Sequence, residues 1–105
     1  MDRVSEYRQI ICQFLQDFSA DDPDARLIFD KERDRYLVLH SGWRNDYRFY
    51  GCAIHLDLID GKVWIQQNST EVMVDQELEK LGVSPKDIIL GFRSPEVRER
   101  LAALR

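Results

Sequence analysis

The dipeptide Asp60-Gly61 lies between two runs of alternating, β-forming residues, and this arrangement constrains the fold more than any other part of the sequence. Asp-Gly in this setting is typical of a two-residue type I′ hairpin, because both positions require a positive φ. Such a turn fixes which residues of the two strands lie opposite each other. It predicts four cross-strand pairs: Asp57 with Trp64, Leu56 with Ile65, His55 with Gln66, and Ile54 with Gln67.

A turn at Asn45-Asp46 extends this register to the preceding strand, where it predicts Leu39 opposite Cys52 and Leu37 opposite Ile54. Since side chains alternate between the faces of a strand, the two faces of the sheet can be assigned. The face expected to form the core contains Leu37, Leu39, Cys52, Ile54, Leu56, Leu58, Val63 and Ile65. The other face contains Tyr36, Val38, His40, His55, Asp57, Trp64 and Gln66.

The flanking segments have helical patterns. Apolar residues recur at spacings of three and four near the amino end, which is typical of a helix with one apolar stripe: Val4, Tyr7, Ile11, Phe14 and Phe18. After the strands, Asp75 is expected to cap a short helix that ends before Gly82, and Ser84-Pro85 and Ser94-Pro95 resemble helix starts. Residues 88–92 are expected to be a short strand or extended segment.

These elements predict an α+β fold in a single domain, residues 1–105. An N-terminal amphipathic helix is expected to pack on an antiparallel β-meander of about four to five strands, followed by short C-terminal helices. The turns between the strands are too short for helical crossovers, so neighbouring strands should pair antiparallel.

Charge and composition restrict the classes of function that the chain can have. The formal net charge of −4 disfavours direct binding to nucleic acid. Cys12 and Cys52 lack metal-ligand spacing and are expected to be reduced, buried thiols. No apolar run is long enough to span a membrane and no signal-peptide core follows the amino end, so we expect a cytoplasmic protein.

The aromatic and polar face of the sheet is the candidate functional surface. Aromatic side chains among polar groups are typical of the anchoring parts of protein interfaces. This face is therefore expected to bind a partner protein or a second copy of the chain. The alternative is coverage by the carboxyl-terminal segment, residues 88–104. The candidate partner surface consists of Tyr36, His40, His55, Asp57, Trp64 and Gln66.

The sequence gives little support for catalysis or metal binding. His55 and Asp57 share a face, but a spacing of two separates their backbones by roughly 6.5 to 7 Å, which argues against a preformed dyad. Cys52 and His55 are expected on opposite faces. Phosphate-binding loops, nucleophile elbows and zinc-protease motifs are missing, and His40 and His55 are a weak metal signal. We predict no catalytic, cofactor-binding or metal-binding residue; a small-ligand or enzyme site using His55 and Asp57 is the alternative.

Several short motifs are similar to those of the XisI family, which takes its name from the fdxN element excision controlling factor of cyanobacteria. They are Gly42-Trp43, Tyr50-Gly51-Cys52, His55-Leu56-Asp57, the run from Gly61 to Gln66, Asn68, Thr70-Glu71, Leu81-Gly82-Val83, Leu90-Gly91-Phe92 and Ser94-Pro95. The resemblance covers nearly the whole chain. Ser41 and Arg93 depart from the family pattern, which has an apolar residue and a His at these positions.

The resemblance implies a non-catalytic accessory factor for programmed excision of a DNA element, a reaction carried out by a site-specific recombinase. It implies binding to XisH, a nuclease-like protein typically encoded next to XisI; the recombinase is a further candidate partner. A homodimer is also expected. The alternative is an antitoxin-like role, in which the chain holds a nuclease-like XisH partner in check.

Overall fold

The computed structural model describes residues 2–104, which form three α-helices and one five-stranded sheet. The elements are α1 (Arg3–Ser19), β1 (Ala25–Asp30), β2 (Arg35–Arg44), β3 (Tyr47–Ile59), β4 (Lys62–Asn68), α2 (Val74–Leu81), a 3-10 turn (Pro85–Asp87), β5 (Ile88–Leu90) and α3 (Pro95–Ala103). The strands lie in the order β1-β2-β3-β4-β5. The first four are antiparallel neighbours, and β5 pairs parallel to β4 because α2 provides a crossover between them. The predicted α+β fold is confirmed.

Helix α1 begins at a well-formed cap and packs on one face of the sheet. The Asp2 carboxylate accepts a hydrogen bond from the Ser5 backbone N–H at 2.7 Å, which satisfies one of the free donors of the first turn. The predicted stripe is buried at its centre, at Tyr7, Ile11 and Phe14. Val4 and Phe18, at its ends, are partly buried and pack against the core.

The core lies between the sheet and the helices α1 and α2. The sheet contributes Tyr36, Val38, Ile54, Leu56, Leu58, Val63 and Ile65, all of them buried. The predicted core positions on β3 and β4 are confirmed except Cys52, which is only partly buried. On β2 the prediction is wrong: Tyr36 and Val38 face the core, whereas Leu37 and Leu39 are partly exposed on the other face.

A register shift between Val38 and Leu39 explains the error on β2. Leu39 lies opposite Cys52 as predicted, but Val38 lies opposite Ile54 and Leu37 opposite His55, so Ala53 has no partner on β2. A β-bulge of this kind adds one residue to one strand and reverses the faces beyond it. Leu37 was therefore assigned to the wrong partner and, with it, to the wrong face.

A second shift lies between β3 and β4. The predicted pairs Asp57 with Trp64 and Leu56 with Ile65 are confirmed, but His55 pairs with Gln67 and Ile54 with Asn68. Gln66 is the extra residue of this bulge. The hairpin turn has the expected geometry, with φ of 52° at Asp60 and 76° at Gly61.

The carboxyl-terminal segment is joined to α1 by a buried hydrogen-bond network. The Tyr7 hydroxyl donates to Asp87 Oδ2 at 2.7 Å and accepts from the Ser84 backbone N–H at 3.1 Å. Burial, and then the hydrogen bond to Asp87, raise the pKa of the Tyr7 hydroxyl. Arg3 lies 3.5 Å from the same carboxylate and balances its charge.

The predicted helix boundaries in this segment are partly correct. Gly82 ends α2 in a left-handed conformation with φ of 118°, and the Ser94 hydroxyl caps α3 by accepting from the Val97 N–H. Asp75 is not the cap of α2, since the helix starts at Val74 and places Asp75 in its first turn. Within residues 2–104, no helix is long and apolar enough to cross a membrane.

Candidate functional site

The face of the sheet opposite α1 is the candidate site, and we call it the open face. It carries His55 and Asp57 from β3 and Trp64 from β4, since these positions alternate with the buried residues of the same strands. All three side chains are partly buried. The register and the burial pattern therefore place these three residues on one face of the sheet.

His55, Asp57 and Gln66 form a connected polar cluster on the open face. His55 Nε2 lies 2.8 Å from Asp57 Oδ1, and Gln66 Nε2 donates to Asp57 Oδ2 at 3.2 Å. The side chains of His55 and Asp57 are 28% and 13% exposed. The expectation that these two residues are too far apart for a preformed pair is wrong, because their side chains lean toward each other along the strand.

This cluster is more typical of structure than of a reactive centre. Both oxygens of Asp57 already have partners, so the carboxylate is held in place by its neighbours. Three surface hollows of the described chain have volumes of about 660, 370 and 340 Å³, and neither His55 nor Asp57 lines any of them. The arrangement suits a preordered contact surface better than a substrate cleft.

Trp64 is partly covered by the chain itself. The Arg98 guanidinium of α3 lies over the indole ring, 5.3 Å from its centroid. The backbone at Gly91 also comes close, since a Cβ there would lie 3.2 Å from Trp64 Cε3 and would collide with Gln66 Oε1. Helix α3 has no buried residue of its own. The carboxyl-terminal segment thus shields one edge of the open face and leaves the remainder accessible.

Tyr36 does not belong to the open face. It is fully buried beneath α1, and its hydroxyl donates to Asp34 Oδ1 at 2.6 Å. Arg8 binds the same carboxylate with two nitrogens, at 2.8 and 3.1 Å. These contacts lower the pKa of Asp34, chiefly through the Arg8 hydrogen bond, and burial raises the pKa of Tyr36. Tyr36 therefore fixes α1 to β2 and is removed from the candidate partner surface.

His40 is also separated from the other candidates, because it lies on the helix side of β2. Its Nε2 pairs with Asp22 Oδ2 at 3.0 Å, and its ring stacks on Phe49 with centroids 5.1 Å apart. Asp24 lies close by, so that one ligand atom from each of Asp22, Asp24 and His40 falls within 4.8 Å of the others. Such a set could hold a metal ion, although the Asp22–His40 pair already gives the imidazole a partner.

Sequence reasoning missed a group of exposed aromatic residues at the far end of the β2–β3 hairpin. Trp43 is 66% exposed, and Tyr47 and Tyr50 are each 68% exposed. Arg48 lies over the rings of both Trp43 and Tyr50, at 5.4 and 5.9 Å. The signal was present in the sequence as four aromatic residues and two arginines between positions 43 and 50.

The fold and the open face define a small α+β protein with one helix-covered and one open side, a form suited to contact with other macromolecules. Comparison with known proteins then gives the family. The model of the XisI protein family matches residues 1–102, and the chain belongs to this family.

Two solved structures are similar over most of the chain. A XisI-like protein from Anabaena variabilis shares 35% identity with a TM-score of 0.87, covering 92% of this chain and 94% of its own. The fdxN element excision controlling factor XisI, also from Anabaena variabilis, shares 36% identity with a TM-score of 0.77, covering 92% of this chain and 99% of its own. Among curated proteins, none matches this chain.

Proposed function

We propose that this protein is a non-catalytic controlling factor for excision of a DNA element and that it acts by binding a XisH-like partner protein. The observation that carries the proposal is its membership of the XisI family, together with 36% identity to a solved excision controlling factor over 92% of the chain. A small accessory protein that controls excision needs a surface that binds its partner specifically, and it needs no catalytic site of its own. The open face supplies such a surface.

Trp64 is the proposed anchor of this contact, with His55, Asp57 and Gln66 beside it. Tryptophan is enriched at positions where truncation costs most binding energy, and polar groups held by one another lose little conformational entropy on binding. The Asp57 cluster meets this second condition, because its three members are already joined by hydrogen bonds. The chain would act on a site-specific recombinase through this complex with the XisH-like protein.

The proposal is tested with a reporter plasmid that carries the excisable element, in cells that supply the recombinase and the XisH-like protein. We expect excision to change when the chain is added and to return toward its basal level with Trp64→Ala. Leu81→Ala is the matched control, because Leu81 is a 48% exposed apolar residue on α2, at the helix-covered side. Excision that ignores the chain would refute the proposed role.

An antitoxin-like role would use the same contact. Expression of the XisH-like protein alone would then arrest growth, and co-expression of the chain would restore it. Growth that is indifferent to both proteins would exclude this alternative.

A ligand-binding or catalytic role for His55 and Asp57 is favoured by one observation, the 2.8 Å contact between them. It predicts that His55→Asn abolishes the effect of the chain on excision while leaving its affinity for the XisH-like protein unchanged. An equal loss of the effect on excision and of the affinity for the XisH-like protein, or no loss of either, would argue against this role.

A further inference from the structure

The open face continues along the β2–β3 hairpin to its far end. Leu39 lies on this face, and Trp43, four positions further along β2, shares it because side chains alternate along a strand. Arg48 lies opposite Trp43, and Tyr50 is two positions from Arg48 on the same strand. Trp43, Arg48 and Tyr50 therefore form one surface, which we call the aromatic platform.

The rings of the aromatic platform are exposed and lie beside an arginine plane. Trp43 is 66% exposed and Tyr50 is 68% exposed, so most of each ring is accessible. The Arg48 guanidinium lies 5.4 Å from the Trp43 ring centroid and 5.9 Å from that of Tyr50. Unpaired nucleic-acid bases stack on aromatic rings and on guanidinium planes. The platform thus offers the two kinds of flat surface on which such bases stack.

The charge of the open face differs from that of the whole chain. Of the 19 acidic residues, only Asp30 and Asp57 lie on strands. The strands carry five cationic residues, which are Arg26, Arg35, Arg44, Arg48 and Lys62. The register places all of these except Arg44 on the open face. The net charge of −4, which disfavoured binding to nucleic acid, averages this cationic face with acidic helices and loops.

An unpaired strand of nucleic acid complements this surface in charge and in shape. Within residues 2–104, Arg48 has no acidic partner, so its guanidinium is available to a phosphate. It lies between two accessible rings, and binding of single strands combines such a cation with rings on which bases stack. In a duplex the bases are already stacked on one another. The platform therefore favours unpaired strands over duplexes.

We propose that the aromatic platform binds single-stranded DNA, with bases stacked on Trp43 and Tyr50 and a phosphate bound by Arg48. The choice of DNA over RNA rests on the proposed function, which places the chain at a DNA element. Trp64 lies opposite Asp57, nine residues along β3 from Arg48, a distance of about 30 Å. The DNA strand and the XisH-like protein thus bind at opposite ends of the open face, and each proposal can fail without the other.

The test is fluorescence anisotropy of a labelled oligothymidylate of about 15 nucleotides, titrated with the full chain at low salt. Tyr50→Ser should weaken binding about tenfold, because it removes one base-stacking surface. Tyr47→Ser is the matched control and should leave the affinity unchanged. Tyr47 is also 68% exposed and lies on the same hairpin, but it pairs with Arg44 on the opposite face. Circular dichroism checks that both variants remain folded, as expected for exposed side chains.

A second matched pair of variants tests the phosphate contact. Arg48→Ala should weaken binding and reduce the slope of log affinity against log salt concentration by about 0.7, the value for one phosphate of a single strand. Arg44→Ala, at the same end of the hairpin but on the opposite face, should leave this slope unchanged. A duplex of the same length should compete at least tenfold less strongly than the oligothymidylate, because its bases cannot stack on the platform.

Three results would overturn the proposal: no binding of the oligothymidylate at low salt, equal effects of Tyr50→Ser and Tyr47→Ser, or an unchanged salt slope in Arg48→Ala. Tighter binding of an oligouridylate would overturn the choice of DNA. Titration calorimetry of Tyr50→Ser with the XisH-like protein separates the two proposals. Weaker binding of that protein with unchanged DNA affinity would make the platform a protein interface. DNA binding by a chain that ignores the XisH-like protein would refute only the proposed partner.

Discussion

Trp64 should contribute to partner binding as well as to folding, and its replacement by alanine measures both contributions. Truncating a fully buried tryptophan costs about 3–5 kcal/mol of stability. Trp64 is only partly buried, and its contact with the Arg98 guanidinium contributes about 0.5–1 kcal/mol at an exposed site. Trp64→Ala should therefore lower the free energy of unfolding by about 2 kcal/mol, less than for a fully buried tryptophan.

The expected loss of binding free energy is at least as large. An interface anchor contributes about 2 kcal/mol or more, which corresponds to a dissociation constant about 30-fold higher. Titration calorimetry with the XisH-like protein measures the affinity, and urea denaturation measures the stability of the same variant. Leu81→Ala serves as the control and should leave the affinity unchanged. A stability loss above about 3 kcal/mol with unchanged affinity would show that Trp64 is a folding residue and would refute this assignment.

Three further predictions test the fold. Leu56→Ala should lower the free energy of unfolding, measured by urea denaturation, by about 2–5 kcal/mol, because Leu56 is fully buried. Leu27→Ala, at a 39% exposed position on the edge strand, should lower it far less. Equal losses of stability would contradict the assigned core. Gly61→Ala should lower the free energy of unfolding by about 1 kcal/mol, because Gly61 has a φ of 76°. Gly51→Ala should leave the stability nearly unchanged, because a Cβ at Gly51 would contact no other atom. A larger loss for Gly51→Ala than for Gly61→Ala would contradict the type I′ turn. Arg8 holds the pKa of Asp34 below its ordinary 3.8, so the stability that this pair provides is present above that pH and is lost as the pH falls through the folded-state pKa. Asp34→Asn should therefore lower the urea midpoint more at pH 7 than at acid pH, and an equal loss at both would show that charge is not the cause.

The hairpin and the helices could be predicted from sequence because each depends on local chemistry. The positive φ at Asp60 and Gly61 is a property of those two residues, and the pairs nearest the turn follow from it. The cap at Ser94 and the left-handed stop at Gly82 are local in the same sense. These interactions lie within a few residues and need no knowledge of the tertiary structure.

The faces of β2 could not be predicted in the same way, because the register changes at a bulge. The unpaired Ala53 shifts Val38 opposite Ile54, and this shift decides that Tyr36 is buried against α1. Nothing in the local sequence marks Ala53 as a bulge. The contact between His55 and Asp57 was missed for a related reason, since it depends on the direction in which two side chains lean and not on backbone spacing.

The candidate surface was therefore predicted in part. His55, Asp57 and Trp64 lie together on the open face, and Gln66 reaches Asp57 from the second bulge. Tyr36 and His40 were assigned to the wrong face because the extra residue Ala53 in β3 reverses the faces of β2 relative to those of β3. The exposed aromatic residues at the far end of the β2–β3 hairpin were visible in the sequence, but their exposure follows from the short reach of β1 and β4.

The most direct test of the central claim is light scattering on the purified chain, alone and mixed with the XisH-like protein, at low and moderate salt. We expect a stable mixed complex that survives moderate salt, because a contact anchored by Trp64 depends on buried apolar surface more than on screened charges. A chain that does not associate with this partner at either salt concentration would contradict the proposed controlling role.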